Sequence, residues 1–352
     1  MAKKTDKSKQ KLNYTAEIKK LKAEGPQRLY MLYGPEDYLR EQFLEYLKKV
    51  CLPEGEDSFS YRRFNGPELD ASEFSSAIDA VPFMSERSFV ELRDVDVNRL
   101  KEPENHIKLL SDIPDYCTVV FVLNSQYEPD GRLKLVRTIR DKGVDLRFTQ
   151  QSQSQLFDWV GRRFAAAGKT VDFEAVQRLI FISGDLMNRL IPEIEKIAAY
   201  SKGDRVSVSD VDAVAHRLPE ADIFNMTDCI ARREYNNAAE ILAELLSDRS
   251  SKDSEPIFIL ATLGAQLRKL YAARLAIDEK LGAKYVMDVC SIKYEFIANN
   301  LIRSAQGFRL KQLSDMLEMC AEADYKMKSS SQDDEELLKE LVMRIAARTE
   351  NV

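Results

Sequence analysis

In this 352-residue chain, a glycine directly after an apolar segment is the first feature that could belong to a ligand-binding loop. The apolar run at 28–33 predicts a short strand, and Gly34 follows it. A nucleotide-binding P-loop, GxxxxGK[ST], uses glycines for close backbone approach, a lysine for the β/γ-phosphates and a hydroxyl for Mg²⁺. Here Leu39, Arg40 and Glu41 occupy the last three positions. Leu39 would fill the phosphate cradle and Glu41 would repel phosphate, so we predict a degenerate P-loop that binds no ATP productively.

An acidic residue follows a second apolar segment and is the next candidate. Asp94 ends FVELRD, the place where a P-loop protein carries a metal-binding acid, but Val95 and Asp96 follow it instead of a catalytic glutamate. We therefore interpret Asp94 as a turn or capping residue. The acidic run at 333–336 lies where a helix should begin, and acids there stabilise the helix dipole. We expect no active site, no cofactor and no metal in this chain.

Cysteine and histidine chemistry is also disfavoured. No two of the five cysteines are close enough for a CxxC zinc pair, and neither His106 nor His216 has a metal-like partner or a nucleophile elbow beside it. The first ten residues are charged and lack the apolar core of a secretory signal. An odd cysteine count in such a chain fits a reducing cytoplasm.

The elements that must position these residues change type along the chain. Up to about residue 150, strand-like and helix-like stretches alternate, which predicts a parallel sheet with helices on both faces. The predicted strands are 28–33, 60–64, 89–92, 118–123 and 144–148. Beyond 150 almost no strand signal remains, and the apolar residues follow a helical period. The fold class is therefore α/β followed by all-α.

The charge is uneven. Lys plus Arg is 52 and Asp plus Glu is 58, a net charge of −6. Residues 1–22 contain eight lysines against Asp6 and Glu17, a local +6 that leaves −12 for the rest. A uniformly basic nucleic-acid wrapper is excluded, whereas DNA contact by a local patch is not. The lysine-rich start is interpreted as a flexible solvated tail, with a phosphate-attracting arm as the alternative.

Several segments together resemble the delta subunit of the bacterial DNA polymerase III clamp loader. They are LYGPEDYLREQ (32–42), AVPFMSERSFVELRDVD (80–96), VVFVLN (119–124), LFDWVGRRFAAAGKTVD (156–172), SGDLMNRLIPEIEKIAAY (183–200), VSVSDVDAV (206–214) and ADIFNMTDCIARREYNNAAEIL (221–242). The resemblance runs from about 16 to 347 and is specific as a combination. The arginine-finger SRC tripeptide and zinc-binding cysteines of the loader's motor subunits are absent.

The resemblance implies an AAA+-like protein in three domains. These are an α/β domain with the degenerate P-loop at 16–150, a helical lid domain at 151–217 and a helical collar domain for oligomerisation at 218–352, after a flexible basic tail at 1–15. It also implies a subunit without catalysis of its own, which grips the sliding clamp and opens one ring interface for loading onto primed DNA. Nucleotidyltransferase activity would belong to other subunits of the polymerase III holoenzyme.

The implied clamp contact is a short apolar cluster. Two adjacent hydrophobic residues of the family enter a pocket on the clamp, and they align here with Phe83 and Met84, flanked by Val81 and Pro82. An aromatic anchor with a polar rim is typical of a binding hot spot. The alternative is that Phe83 and Met84 cover this domain's own core.

Further partners follow from the same resemblance. They are the ATP-hydrolysing motor subunits, a delta-prime-like subunit and, through the assembled loader, primer–template DNA. Lys326 and Lys328 are candidate DNA contacts, with a solvated helix end as the alternative, and Tyr325 is offset from the aromatic of some relatives. The competing functions are a working P-loop ATPase, another AAA+-like loader subunit, or a non-catalytic adaptor without a clamp partner.

Overall fold

The computed structural model describes residues 14–53, 55, 60–82, 85–247 and 255–350. They form two compact units, one reaching to residue 151 and including 186–188, the other containing 152–185 and the chain from 189 onward. The predicted lid–collar boundary at 217/218 falls inside the second unit, and that division stays a prediction. In the described ranges, no helix combines the length and apolar character needed to cross a membrane.

The first unit is a parallel sheet flanked by helices. Its strands stand in the order β2-β3-β4-β1-β5. Its elements are α1 (Tyr14–Glu24), β1 (Leu29–Tyr33), α2 (Asp37–Cys51), β2 (Tyr61–Asn65), α3 (Ala71–Asp79), β3 (Ser88–Arg93), α4 (Pro103–Ser111), β4 (Cys117–Val122), α5 (Lys134–Lys142) and β5 (Val144–Arg147). Parallel strands need a crossover of a dozen or more residues, and helices supply it here.

The inner strands are buried on both faces. Every residue of β1 and of β4 is buried, as their continuous apolar sequences predict for the centre of a parallel sheet. The register pairs Leu29 with Val119 and Tyr30 with Val144, so β1 lies between β4 and β5. The predicted α/β fold of this region is confirmed. The carboxyl ends of β1 and β3 carry Gly34 and Asp94, which places both predicted features at one edge of the sheet.

The second unit is almost entirely helical, which confirms the predicted change of class. Its elements are α6 (Gln153–Ala166), β6 (Thr170–Val171), α7 (Phe173–Ser183), α8 (Met187–Tyr200, whose first two residues belong to the first unit), β7 (Arg205–Val206), α9 (Val208–Val214), α10 (Pro219–Ala231), α11 (Tyr235–Ser247), α12 (Pro256–Asp278), α13 (Gly282–Cys290), α14 (Glu295–Ala305), α15 (Leu310–Ser329) and α16 (Asp334–Glu350). Pro256 begins α12, where a proline gives up no helical hydrogen bond.

Two parts of the chain differ from the sequence expectations. The helix α1 includes Tyr14 and Thr15, which were assigned to the flexible tail, while residues 1–13 lie outside the described part of the chain. The two-residue strands β6 and β7 pair in parallel, although the sequence shows no strand period there. The helix α9 begins at Val208, and Ser207 before it forms a capping box with Asp210.

Candidate functional site

The degenerate P-loop packs tightly against the end of β5. Gly34 has φ +108°, a conformation that favours glycine, and a Cβ at this position would lie 2.4 Å from the carbonyl oxygen of Phe148. The backbone N–H of Glu36 donates to that same oxygen at 3.2 Å. Leu39, in the position of the second P-loop glycine, is buried. The backbone that would surround a phosphate is therefore engaged with the protein itself.

Arg40, in the position of the P-loop lysine, is bound to its own loop. Its side chain is buried, Nη1 donates to the Gly34 carbonyl at 3.1 Å, and Nη2 pairs with the Asp37 carboxylate at 2.5 Å. A phosphate-binding lysine presents its charge to a ligand, whereas this guanidinium is neutralised internally. The arrangement stabilises the turn between β1 and α2 and directs this guanidinium onto its own loop.

Glu41, in the position of the Mg²⁺-binding hydroxyl, receives a bidentate ion pair. Arg93, the last residue of β3, donates to its two carboxylate oxygens at 3.0 and 2.7 Å. Arg93 also contacts Glu91 in the same strand. Hydrogen bonds to these two carboxylates outweigh burial and raise the pKa of Arg93. A fixed guanidinium thus lies between the P-loop helix and the strand that would supply a metal-binding acid.

Glu91 is the centre of this charged network and was not identified from the sequence. Its carboxylate is fully buried and accepts from Lys48 Nζ at 2.9 Å and from the Tyr61 hydroxyl at 2.8 Å. Burial alone would raise the pKa of Glu91, but hydrogen bonds from Lys48, Arg93 and Tyr61 outweigh it and lower the pKa. The signal in the sequence is a glutamate among the apolar residues of FVEL, followed directly by Arg93.

Asp94 is a turn residue, as interpreted. It is exposed, has φ 57°, and its backbone N–H donates to Val122 at 3.0 Å. In the part of the chain that the structure describes, no three His, Cys, Asp or Glu side chains are grouped so that they could hold a metal ion.

The predicted clamp contact begins on an exposed segment after α3. Val81 is 71% exposed and Pro82 is half-buried. Phe83 and Met84 lie outside the described residues, so their placement remains a prediction. On the near side of the segment, α3 buries Phe74 and Ile78. Val81 therefore lies just beyond the end of a helix whose apolar face is buried.

The far side of that segment is also fixed. Ser85 Oγ lies 2.7 Å from Ser60 Oγ and 2.7 Å from the Arg87 carbonyl. At the opposite end of α3, the Asp70 carboxylate caps the helix by accepting from Ser72 and Glu73, both at 2.9 Å. Both attachments hold described residues on either side of the predicted contact.

The candidate DNA contacts lie at the end of α15 in the second unit. Lys326 and Lys328 are exposed, and Lys328 pairs with Asp324 at 2.8 Å. Tyr325 is 72% exposed beside them. Lys326 is therefore the less neutralised of the two cations, because no ion pair to it occurs among the described residues.

Family models match both units of the chain. A model described as DNA polymerase III, delta subunit, matches residues 30–148. A second, described as the C-terminal domain of the DNA polymerase III delta subunit, matches residues 220–345. The first match contains the degenerate P-loop, the network around Glu91 and the segment at 81–84.

Full-length relatives agree with these matches. The chain is 24% identical over 343 residues to DNA polymerase III subunit delta of Bacillus subtilis (strain 168), covering 94% of this chain and 96% of that one. It is 25% identical over 284 residues to the probable subunit delta of Aquifex aeolicus (strain VF5), covering 77% of each chain. The solved Bacillus subtilis DNA clamp loader delta protein shares the fold, with a TM-score of 0.56, 21% identity and coverage of 95% and 100%.

Proposed function

Because this chain belongs to the family of DNA polymerase III clamp-loader delta subunits, we propose that it binds the ring-shaped sliding clamp and opens one ring interface. The clamp, held open, is then loaded onto primed DNA by the assembled loader. In this proposal the motor subunits hydrolyse ATP, a delta-prime-like subunit completes the complex, and this chain contributes binding alone. Because bacterial DNA is replicated in the cytoplasm, the proposed role implies a cytoplasmic location.

The observation that carries the proposal is the exposed apolar surface at Val81. Val81 lies two residues after the end of α3 and is 71% exposed, although α3 itself buries Phe74 and Ile78. Phe83 and Met84 follow it directly, and Ser85, Glu86 and Arg87 supply a polar rim. A central apolar anchor with a polar rim is the arrangement that hot spots share. We propose that Phe83 enters a clamp pocket and that Met84 fills the space beside it.

A double substitution tests this contact. Replacing Phe83 and Met84 by alanine is expected to weaken clamp binding by about 30-fold or more, because hot-spot side chains contribute about 2 kcal/mol or more. The measurement is binding to the purified clamp, with circular dichroism and loader assembly unchanged. The matched control replaces an aromatic and a methionine of the second unit, Tyr325 and Met343, which are 72% and 65% exposed, and should bind the clamp normally. Wild-type clamp affinity of the Phe83/Met84 variant would refute the assignment.

We also propose that this chain does not use ATP. Support comes from Arg40, whose charge is taken up by Gly34 and Asp37, and from the pairing of Glu41 with Arg93. Calorimetry of the isolated chain with Mg²⁺ and ATP is expected to show no binding. A micromolar affinity would favour the competing P-loop ATPase instead.

DNA contact is proposed at the end of α15, in the assembled loader. Each phosphate contact by a lysine contributes close to one unit to the slope of log affinity against log salt. Replacing Lys326 by alanine should lower that slope by about one for primed DNA. The control is Lys339→Ala, because Lys339 is paired with Glu335 at 2.7 Å. An unchanged slope for Lys326→Ala would leave this lysine as a solvated helix end.

A further inference from the structure

The strand β2 forms one free edge of the parallel sheet. It stands at the end of the strand order β2-β3-β4-β1-β5 and, within the described part of the chain, pairs with β3 alone. Its residues Tyr61–Asn65 are half-buried or exposed, whereas every residue of β1 is buried. The outer side of an edge strand presents backbone N–H and C=O groups to which another extended chain can pair. The side of β2 that faces away from β3 is therefore open to a further strand.

The hydrogen-bond pattern shows which backbone groups of β2 point outward. The Phe89 N–H donates to the Ser60 carbonyl at 2.7 Å, and the Gly66 N–H donates to the Arg93 carbonyl at 3.0 Å. Because backbone direction alternates along a strand, the even-numbered residues from 60 to 66 face β3. The backbone groups that face away belong to Tyr61, Arg63 and Asn65. No hydrogen bond to any of these outward groups occurs in the ranges that the structure describes.

This outer edge of β2 is cationic. Arg62 is exposed and has no ion pair to any described residue. Arg63 has 46% of its side chain exposed, and its carboxylate neighbour Glu91 lies 3.8 Å away. That carboxylate already receives Lys48 Nζ at 2.9 Å. Two guanidinium groups on adjacent residues therefore point to opposite faces of the sheet with little neutralisation.

The other edge of the sheet, β5, differs in charge. Its Arg147 pairs with Glu128 at 2.5 Å, and its Asp145 pairs with Arg140 at 2.9 Å. The charged side chains of β5 are thus neutralised within the chain. Of the two edges, β2 is the one that keeps cations for a partner.

The pairing geometry defines the sequence of a strand that fits β2. Open parallel sheets commonly carry an antiparallel strand at one edge, and antiparallel pairs are slightly more stable per residue. In such a pair, residues directly opposite each other share a face and interact. Carboxylates therefore fit opposite Arg62 and Arg63, and apolar side chains fit opposite Tyr61 and Phe64. Read from its own amino end and beginning opposite Asn65, the fitting strand is Thr-Val-Glu-Glu-Val.

A second copy of this chain does not fit the same edge. Antiparallel pairing of two β2 strands about Arg63 would place the two Arg63 side chains opposite each other, and like charges directly opposite destabilise a sheet. Charged edge residues of this kind oppose self-association. They leave the edge open to a strand of opposite charge.

We propose that the outer edge of β2 binds an extended acidic segment of another protein by adding it as an antiparallel strand. The outward backbone groups of Tyr61, Arg63 and Asn65 supply main-chain hydrogen bonds. Arg62 and Arg63 select carboxylates through charge-assisted hydrogen bonds. The surface is separate from residues 81–84, and the proposal goes beyond the clamp function without depending on it.

The probe is the blocked peptide Thr-Val-Glu-Glu-Val, titrated into the full chain by calorimetry. One matched peptide replaces both glutamates by lysine. Another carries an N-methyl group on its third residue, which removes the donor to the Arg63 carbonyl. The acidic peptide should bind with a Kd below about 1 mM, and both matched peptides should bind at least about tenfold more weakly.

Hydrogen exchange resolved by NMR locates the bound peptide. In the free chain, the amides of Tyr61, Arg63 and Asn65 should exchange faster than those of Arg62 and Phe64, which face β3. Saturating acidic peptide should slow exchange of the three outward amides at least about fivefold.

Variants of the two arginines separate the backbone from the charge. Arg63→Pro removes the outward N–H and no bond to β3, because an edge strand accepts proline where its N–H faces solvent. Arg63→Ala loses the same guanidinium but keeps the N–H, so Arg63→Pro should bind the acidic peptide at least about threefold more weakly than Arg63→Ala. Arg62→Glu should bind it about tenfold more weakly and should prefer Thr-Val-Glu-Lys-Val.

Binding of the acidic peptide with protection of the outward amides supports the proposal. Equal affinity for the lysine peptide or for the N-methylated peptide overturns it, as does binding that leaves exchange at Tyr61, Arg63 and Asn65 unchanged. Absence of binding up to about 5 mM peptide also overturns it. Self-association of the free chain that Arg63→Pro abolishes overturns it too, because a second copy then occupies the edge.

Discussion

Replacing Glu91 by glutamine removes the charge on which the network beside the P-loop depends. The carboxylate is fully buried, with Lys48 Nζ 2.9 Å away, the Tyr61 hydroxyl 2.8 Å away and Arg93 in contact. The Lys48 side chain is itself only 9% exposed. Removing one partner of a buried pair costs about 3–5 kcal/mol, and the lower end of that range applies here because Lys48 keeps Glu45 and Arg93 keeps Glu41. We expect Glu91→Gln to destabilise the first unit by that amount.

The control uses the same lysine. Glu45 also pairs with Lys48, at 3.4 Å, but its side chain is 52% exposed. Exposed pairs contribute about 0–1 kcal/mol, so Glu45→Gln should change the free energy of unfolding by less than about 1 kcal/mol. The loss of unfolding free energy in Lys48→Met should lie between those of the two glutamate variants, because Glu91 keeps its contacts with Tyr61 and Arg93.

Hydrogen exchange of the backbone amides of β3, read by mass spectrometry, measures the effect in the correct unit. Trp159 is the one tryptophan of the chain and lies in α6, so its fluorescence reports on the second unit. A loss of 3 kcal/mol should speed exchange in β3 by more than about 100-fold. If Glu91→Gln exchanges no faster than Glu45→Gln, the argument that Glu91 holds the network together is wrong.

Four other changes should have measurable effects. The pKa of Glu91 is lowered in the folded state. The contribution of its carboxylate to the free energy of unfolding is therefore complete above the unfolded carboxyl pKa of about 4.3 and is lost as the pH falls through the folded pKa. The free energy of unfolding of the wild type, measured in urea, should consequently fall more steeply with acid than that of Glu91→Gln. Gly34→Ala should cost about 1–3 kcal/mol in thermal unfolding, because a Cβ meets the Phe148 carbonyl at 2.4 Å and φ is positive; an unchanged melting temperature would contradict that geometry. Asp70→Ala should cost about 1 kcal/mol by loss of the α3 cap, and chemical denaturation without a change would show that the cap is not required. Burial raises the pKa of the Cys51 thiol to about 11, so thiol labelling of the native chain should modify half-buried Cys290 first; faster labelling of Cys51 would refute its burial.

Much of the architecture was readable from local pattern. The continuous apolar runs of β1 and β4 predict strands covered on both faces, and the change to helical period after Gln150 predicts the all-α second unit. Pro256 indicates the beginning of α12, because a proline in the first turn gives up no helical hydrogen bond. The substitutions Leu39, Arg40 and Glu41 were likewise sufficient to predict a degenerate P-loop, since each position has a known chemical task.

Other features depend on residues far apart in the chain. The strands β6 and β7 have two residues each and pair across more than thirty positions, so neither contains enough sequence to show a period of two. The ion pair between Glu41 and Arg93 joins residues 52 positions apart. Local pattern predicts that the charge of Glu41 is unsuited to ATP, but it does not predict which cation neutralises that charge.

The amino-acid sequence by itself determined the class of each segment, the loss of the P-loop residues and the family that the chain resembles, because helix period, strand burial and motif chemistry are carried by neighbouring residues. Tertiary structure alone decided that Glu91 joins Lys48, Tyr61 and Arg93, and that Gly34 lies against the Phe148 carbonyl. Burial and pairing are properties of what packs around a side chain, and that depends on strands and helices brought together from distant parts of the chain.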